Sequence, residues 1–135
     1  MAEDLEVFVA QQLASLDGPE GEDAFHTLIE APRSILPLLM LAYHKQVSSS
    51  VRATIVEIVW QFRDPSTLSF LAEALRTDDG NVWKQALDGI VTLGGPNAIH
   101  VLTDQADRER KERGVTQKLE WIQEAIKDCD GSSAQ

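Results

Sequence analysis

Apolar residues recur along much of this chain at the spacing of one helix face. In VRATIVEIVWQFRDP, residues 51–65, Val51, Ile55, Val56, Val59 and Phe62 step by four, one, three and three. That is the period of a helix with a buried side, not the alternation of a strand. The pattern returns in NVWKQALDGIVTLGGP, where Val82, Ala86, Leu87, Ile90 and Leu93 match those five positions one by one. Polar positions correspond too, Glu57 with Asp88 and Gln61 with Thr92. Val56 and Trp60 widen the first apolar stripe, as a helix packed on two neighbours requires, and Trp60 is expected in the core.

The punctuation between these stretches repeats as well. Pro32, Pro65 and Pro96 fall at nearly even intervals and are followed by RSILPLLML, STLSFLAEAL and NAIHVLTDQA. There Ile35, Leu68 and Ile99 coincide, as do Leu38, Leu71 and Leu102. Each proline is expected to open a helix, at a position where its missing N–H has no intrahelical acceptor to lose. Pro37 falls within a first turn, so it need not break its helix. Asp64 is placed to cap the helix at Pro65. Gly94-Gly95 can end the preceding helix through a left-handed residue. KQVSSS (residues 45–50) and TDDGN (residues 77–81) read as the turns between paired helices.

The two ends are weaker copies. Val115 follows Pro96 at the same interval as Val51 follows Pro32, and Leu119, Ile122 and Ile126 continue its stripe. Residues 3–16 read as a helix with Leu5, Phe8, Val9, Leu13 and Leu16 inward, DGPEGED as a turn, and residues 23–31 as a short second helix. One helix pair cannot bury both its apolar faces, whereas stacked pairs bury each other's. The expected fold is therefore all-α: a short right-handed α-solenoid of about four helix pairs. The units are about residues 1–31, 32–64, 65–95 and 96–130, with residues 131–135 as a flexible tail.

The combination Val51-Arg52, Ile58-Val59, Phe62 and Asp64-Pro65, followed by Leu68, Leu71 and Leu75, resembles HEAT-like repeats of the phycobilisome-lyase type. The resemblance is good over residues 32–102. Two positions depart from the family pattern: Trp83 stands where the preceding copy has Arg52, and Phe62-Arg63 replaces the usual Leu-Gly. The resemblance implies that the second helices line the concave side of the stack. The polar positions left on those helices are then Thr54, Glu57 and Gln61 in one copy, Lys84, Gln85, Asp88 and Thr92 in the next, and Gln117, Trp121 and Glu124 in the last. Trp121 aligns with Glu57 and Asp88, which makes it the aromatic residue least explained by packing. Trp83, at the position of Arg52 and beside a turn, is a candidate for the groove rim. The candidate partner-binding residues on the concave face are thus Glu57, Gln61, Trp83, Lys84, Asp88, Thr92 and Trp121.

Charge narrows the choice of partner. The formal net charge is −10. Its N-terminal share is conspicuous: Glu3, Asp4, Glu6, Asp17, Glu20, Glu22, Asp23 and Glu30 all precede Arg33, the first basic side chain apart from His26. Asp17, Glu20, Glu22 and Asp23 cluster there as a second candidate binding surface. Such a balance repels phosphate backbones and favours encounter with a basic protein. DRERKER, residues 107–113, pairs four bases with three acids and reads as a solvated helix end. No apolar run is long enough to span a bilayer, and the acidic start is unlike a secretory signal; a cytoplasmic setting is expected. The single cysteine, Cys129, excludes an intramolecular disulfide and a cysteine-based zinc cluster, and is expected as an ordinary thiol near a frayed terminus.

Catalytic motifs are missing from the sequence. His26, His44 and His100 share no spacing, and neither His-Glu-x-x-His, Cys-x-x-Cys, Gly-x-Ser-x-Gly nor a glycine-rich phosphate loop occurs. No cofactor or metal is expected. The expected function is a non-catalytic module that binds a basic partner protein, with a toxin-neutralising immunity or inhibitor protein of a bacterium as the concrete version. The alternatives are an accessory or lyase-like protein acting on a cofactor-bearing protein, and a structural adaptor. A monomer or weak homodimer is expected, with neither nucleic acid nor membrane as partner.

Overall fold

In a computed structural model, the backbone of residues 2–134 and the side chains of residues 4–129 are described. Eight α-helices follow one another among the described residues: α1 (Ala2–Ser15), α2 (Gly21–Ile29), α3 (Leu36–Lys45), α4 (Ser49–Gln61), α5 (Leu68–Leu75), α6 (Gly80–Leu93), α7 (Gly95–Arg113) and α8 (Gln117–Ala134). One-turn 3-10 segments, Arg33–Ile35 and Pro65–Thr67, lead into α3 and α5. The helices pair as α1/α2, α3/α4, α5/α6 and α7/α8, and the second helices pack in sequence, α2 on α4, α4 on α6 and α6 on α8. This is an all-α solenoid of HEAT-like pairs. α8 continues to Ala134, into the segment expected as a tail, whose last residue, Gln135, lies outside the described residues.

The apolar stripes do what their period predicts. Val51, Ile55, Val56, Ile58 and Val59 of α4 and Val82, Ala86, Leu87 and Ile90 of α6 are buried, and Phe62 and Leu93 pack against this core from its margin. α6 comes close against α4 at Gly89. A Cβ there would stand 2.6 Å from Cβ and 2.9 Å from Cγ of Trp60, and 3.1 Å from a methyl of Leu71. The missing side chain lets α6 close on α4, and Trp60 fills the space.

Both edges of the stack are tied from unit to unit. Along the edge of the within-pair turns, Ser50 Oγ donates to Asp17 Oδ1 at 3.4 Å and Asn81 Nδ2 donates to Ser49 Oγ at 3.3 Å. Further along, Lys118 Nζ donates to the Thr77 carbonyl at 2.9 Å, and Arg113 pairs with Asp78. On the opposite edge Arg33 Nη1 meets Asp64 Oδ2 at 3.5 Å. The exposed links among these add little free energy each; burial of the apolar faces supplies most of the stability, and the links fix the register between units.

The helix ends follow the expected chemistry in most places. Asp64 Oδ1 accepts from the Ser66 amide at 2.9 Å, Asp79 Oδ1 from the Asn81 amide at 3.0 Å, and Ser48 Oγ from the Val51 amide at 3.3 Å. The hydrogen bond donated by the Ser66 amide holds the Asp64 carboxyl below the usual carboxylate range. Pro65 begins its 3-10 turn and Pro96 lies in the first turn of α7, whereas Pro32 is extended and sits just outside its turn. Gly94 ends α6 at φ +62°. Arg63 sits at the matching place after α4 and is the one non-glycine residue with positive φ, +53°, among the described residues.

The fourth unit departs from the expected register. α7 runs from Gly95 through the whole DRERKER segment, and the turn comes only at Gly114–Thr116. Thr116 caps α8, its Oγ1 accepting from the Leu119 amide at 3.1 Å. Val115, expected to open the last apolar stripe, is therefore 80% exposed, and Lys118, Leu119, Ile122, Ala125 and Cys129 are the buried positions. They match Val82, Trp83, Ala86, Gly89 and Leu93, so Lys118, and not Val115, is the equivalent of Val82. DRERKER forms the exposed end of α7 except at Glu109, which is buried and accepts from Thr116 Oγ1 at 2.7 Å. Cys129, expected near a frayed end, is buried in the core.

Two substitutions test this packing. Gly89→Ala should lower the unfolding free energy by about 1–3 kcal/mol, because Trp60 Cβ cannot retreat without moving α4. Arg63→Gly should raise it by up to about 1 kcal/mol by relieving the left-handed backbone. Urea unfolding followed by circular dichroism measures both, and a stabilising Gly89→Ala would contradict the close approach.

Candidate functional site

The second helices α4, α6 and α8 present a groove of about 490 Å3. Its walls are Trp60 of α4, Asp88 and Thr92 of α6, and Glu120, Trp121 and Glu124 of α8. Leu87, Val91 and Ala125 contribute apolar surface between them. Trp60, seated against the Gly89 backbone, lines this groove, and its Nε1 donates to Gln85 Oε1 at 3.0 Å. Trp60, expected in the core, is half-buried and shared between core and groove.

Trp121 is 42% exposed and held in place from behind. Its ring meets Trp83 edge to face at 5.7 Å, and Lys84 Nζ lies 4.9 Å from its centroid. Trp83 is a correction to the sequence reading: only 6% exposed, it takes no part in the groove rim. Trp83 follows Val82 on the buried side of α6, and the Lys118 ammonium covers its ring at 5.6 Å. The later turn before α8 also changes Trp121's equivalents, which are Thr54 and Gln85 and not Glu57 and Asp88.

Asp88, Thr92 and Trp121 are thus brought together in the groove. Glu57 and Gln61 are half-buried on α4, close enough for the Asp88 charge to act on Glu57, and Lys84 is exposed behind Trp121. The second candidate surface lies elsewhere. Asp17, Glu20, Glu22 and Asp23 are exposed at the α1–α2 turn, where Asp17 accepts from Ser50 and Glu22 stands 4.0 Å from His26. Glu120, which the sequence reading did not single out, lines the groove one helical turn before Glu124.

The groove carboxylates Asp88, Glu120 and Glu124, and Glu57 beside them on α4, form no ion pair among the described residues. Burial, with the Asp88 charge second, pushes the Glu57 carboxyl above its ordinary range, and partial enclosure does the same to Asp88. No group of histidine, cysteine and acidic residues among the described residues is placed to hold a metal ion. No helix among them is long and apolar enough to cross a membrane.

A family model described as HEAT repeats matches residues 36–121, well over half of the chain. The chain belongs to the HEAT-repeat family. HEAT repeats are commonly protein-interaction modules. The match is to HEAT repeats in general and does not extend to the phycobilisome-lyase type. No curated protein and no solved structure matched the chain.

The raised carboxyls of this HEAT domain set the sign of a pH effect. A carboxyl whose folded pKa exceeds its unfolded value binds more protons in the folded state, so its contribution to stability falls as pH rises through that interval. Glu57→Gln should therefore raise the melting temperature at pH 7, and the gain should shrink as pH falls from above the raised value into the ordinary carboxylate range. Thermal unfolding at a series of pH values checks this; a gain that grows on acidification would contradict the assignment.

Proposed function

We propose that this HEAT domain is a non-catalytic protein-binding module that takes a basic partner protein on the face formed by α4, α6 and α8. One observation carries the reading: the groove pairs two tryptophan side chains with the carboxylates of Asp88, Glu120 and Glu124, which form no ion pair among the described residues. Aromatic anchors in a partly desolvated cleft are the usual centres of interface energy. Carboxylates without counter-charge favour a positive partner and oppose a phosphate backbone. With a net charge of −10, the protein suits the neutralising of a cationic enzyme in the cytoplasm, so an immunity or inhibitor protein is the concrete form of the reading.

The structural-adaptor reading has an observation of its own. Between α1 and α3 lies a second groove of about 420 Å3, lined by Val9, Leu13, Leu38 and Leu41, with Leu41 and the nearby Val7 each 55% exposed. A dimer that persists on dilution in light scattering would favour that reading.

The binding reading is tested by affinity capture from the native host at low salt, using the wild type, Trp121→Ala, and a variant with Glu20, Glu22 and Asp23 neutralised. The expected result is one stoichiometric basic protein, lost with Trp121→Ala, retained by the triple variant and released by salt. A partner lost only in the triple variant would move the site to the α1–α2 turn. The absence of any enriched protein would contradict the reading.

A further inference from the structure

The spacing of the groove carboxylates gives the partner segment a shape. Glu120 and Glu124 lie one helical turn apart on α8 and line the same side of the groove. At the helical rise of about 1.5 Å per residue, they are spaced by about 6 Å along the axis. An extended chain presents every second side chain to the same side, about 6.6–6.8 Å apart. The two repeats match closely over a short segment. A helical partner reaches a similar interval only by skipping three residues between its charges, whereas an extended chain does so at alternate residues.

The aromatic residues select the kind of cation. Trp121 backs onto Trp83 and Lys84, neither of which lines the groove, so its remaining surface is turned to the cleft. Trp60 stands across from it on α4, and Asp88 faces Glu120 and Glu124 from α6. A planar guanidinium can lie against an indole face while its N–H groups donate to a carboxylate, a combination that a lysine ammonium matches poorly.

We infer that the groove between α6 and α8 receives an extended segment of the partner bearing arginines at alternate positions, their guanidinium groups seated between Trp121 or Trp60 and the carboxylates of Asp88, Glu120 and Glu124. The inference rests on the binding reading above and adds the conformation and side-chain chemistry of the bound segment. The second arginine of such a segment reaches the next carboxylate, while the intervening side chain points out of the cleft. Consecutive arginines would turn every second charge away from it.

Two peptides of equal composition and charge separate these cases. Acetyl-Gly-Arg-Gly-Arg-Gly-Arg-Gly-amide and acetyl-Gly-Gly-Arg-Arg-Arg-Gly-Gly-amide are titrated into the full chain by calorimetry at low salt, alongside the lysine version of the first. The alternating arginine peptide should bind at least fivefold more tightly than either of the others. Glu124→Gln, a change at an exposed position, should reduce the affinity for that peptide and remove most of its advantage. Trp121→Ala should weaken it further, with circular dichroism confirming the fold. Equal affinity for the two arginine peptides would overturn the inference and leave the basic-partner reading standing. Failure of both to bind, with a Trp121-dependent partner captured from the host, would overturn the segment chemistry alone.

Discussion

Trp60 against Gly89 is the contact on which the rest of the structure turns. The indole of α4 occupies the space that any side chain at residue 89 would need, so α4 and α6 approach closely at that point. The approach seals the apolar stripes of the two central units over Ile55, Val59, Ala86 and Ile90. The indole also lines the cleft, and its N–H is donated to Gln85. Core packing and groove architecture are thus two sides of one residue, and a change that loosens the stack also reshapes the site. The hydrogen bonds from Ser50 to Asp17, Asn81 to Ser49 and Lys118 to Thr77 then keep successive units in step.

The electrostatics run against stability at the same place. Acids elsewhere in the fold are put to structural use: Asp64 and Asp79 cap helices, Asp78 pairs with Arg113, and Glu109 is held by Thr116 and Arg113. Hydrogen bonding, first from the Ser49 hydroxyl, lowers the Asp79 carboxyl below its usual range. Glu57 and Asp88 behave in the opposite sense, raised by burial and, for Glu57, by the charge of its neighbour. A cation entering the groove would relieve that repulsion. The fold therefore holds, on one face, carboxylates that form no ion pair among the described residues.

Much of the fold was legible because stacked units solve the same packing problem with the same period. The matched stripes of α4 and α6, the proline-led first helices and the caps at Asp64 and Gly94 all followed from residue spacing. The fourth unit was misread because Val115 imitated an apolar start while α7 had room to run on to Arg113. A signal was present in the caps: Ser48, Asp79 and Thr116 each precede by three the first or second buried residue of their helix, Val51, Val82 and Leu119. Trp83 was placed on the surface by its match to Arg52, although its adjacency to Val82 fits the buried stripe. Asp88, Thr92 and Trp121 were found because they are polar or aromatic positions left over by the stripes. Trp60 and Glu120 were not, since a groove between three helices is set by how closely the helices approach, and residue period does not contain that distance.

The three tryptophans give the most direct test of the central claim, that cationic binding occurs in this groove and not at the acidic α1–α2 turn. Each indole N–H gives its own nitrogen–proton NMR signal: Trp121 exposed in the groove, Trp60 bonded to Gln85, and Trp83 buried behind. The amides of Gly18 and Gly21 report on the acidic turn. On titration with the alternating arginine peptide, the account predicts saturable shifts at Trp121 and Trp60, a smaller one at Trp83, and none at Gly18 or Gly21. Shifts confined to the two glycines, with the Trp121 and Trp60 indoles unmoved, would contradict it.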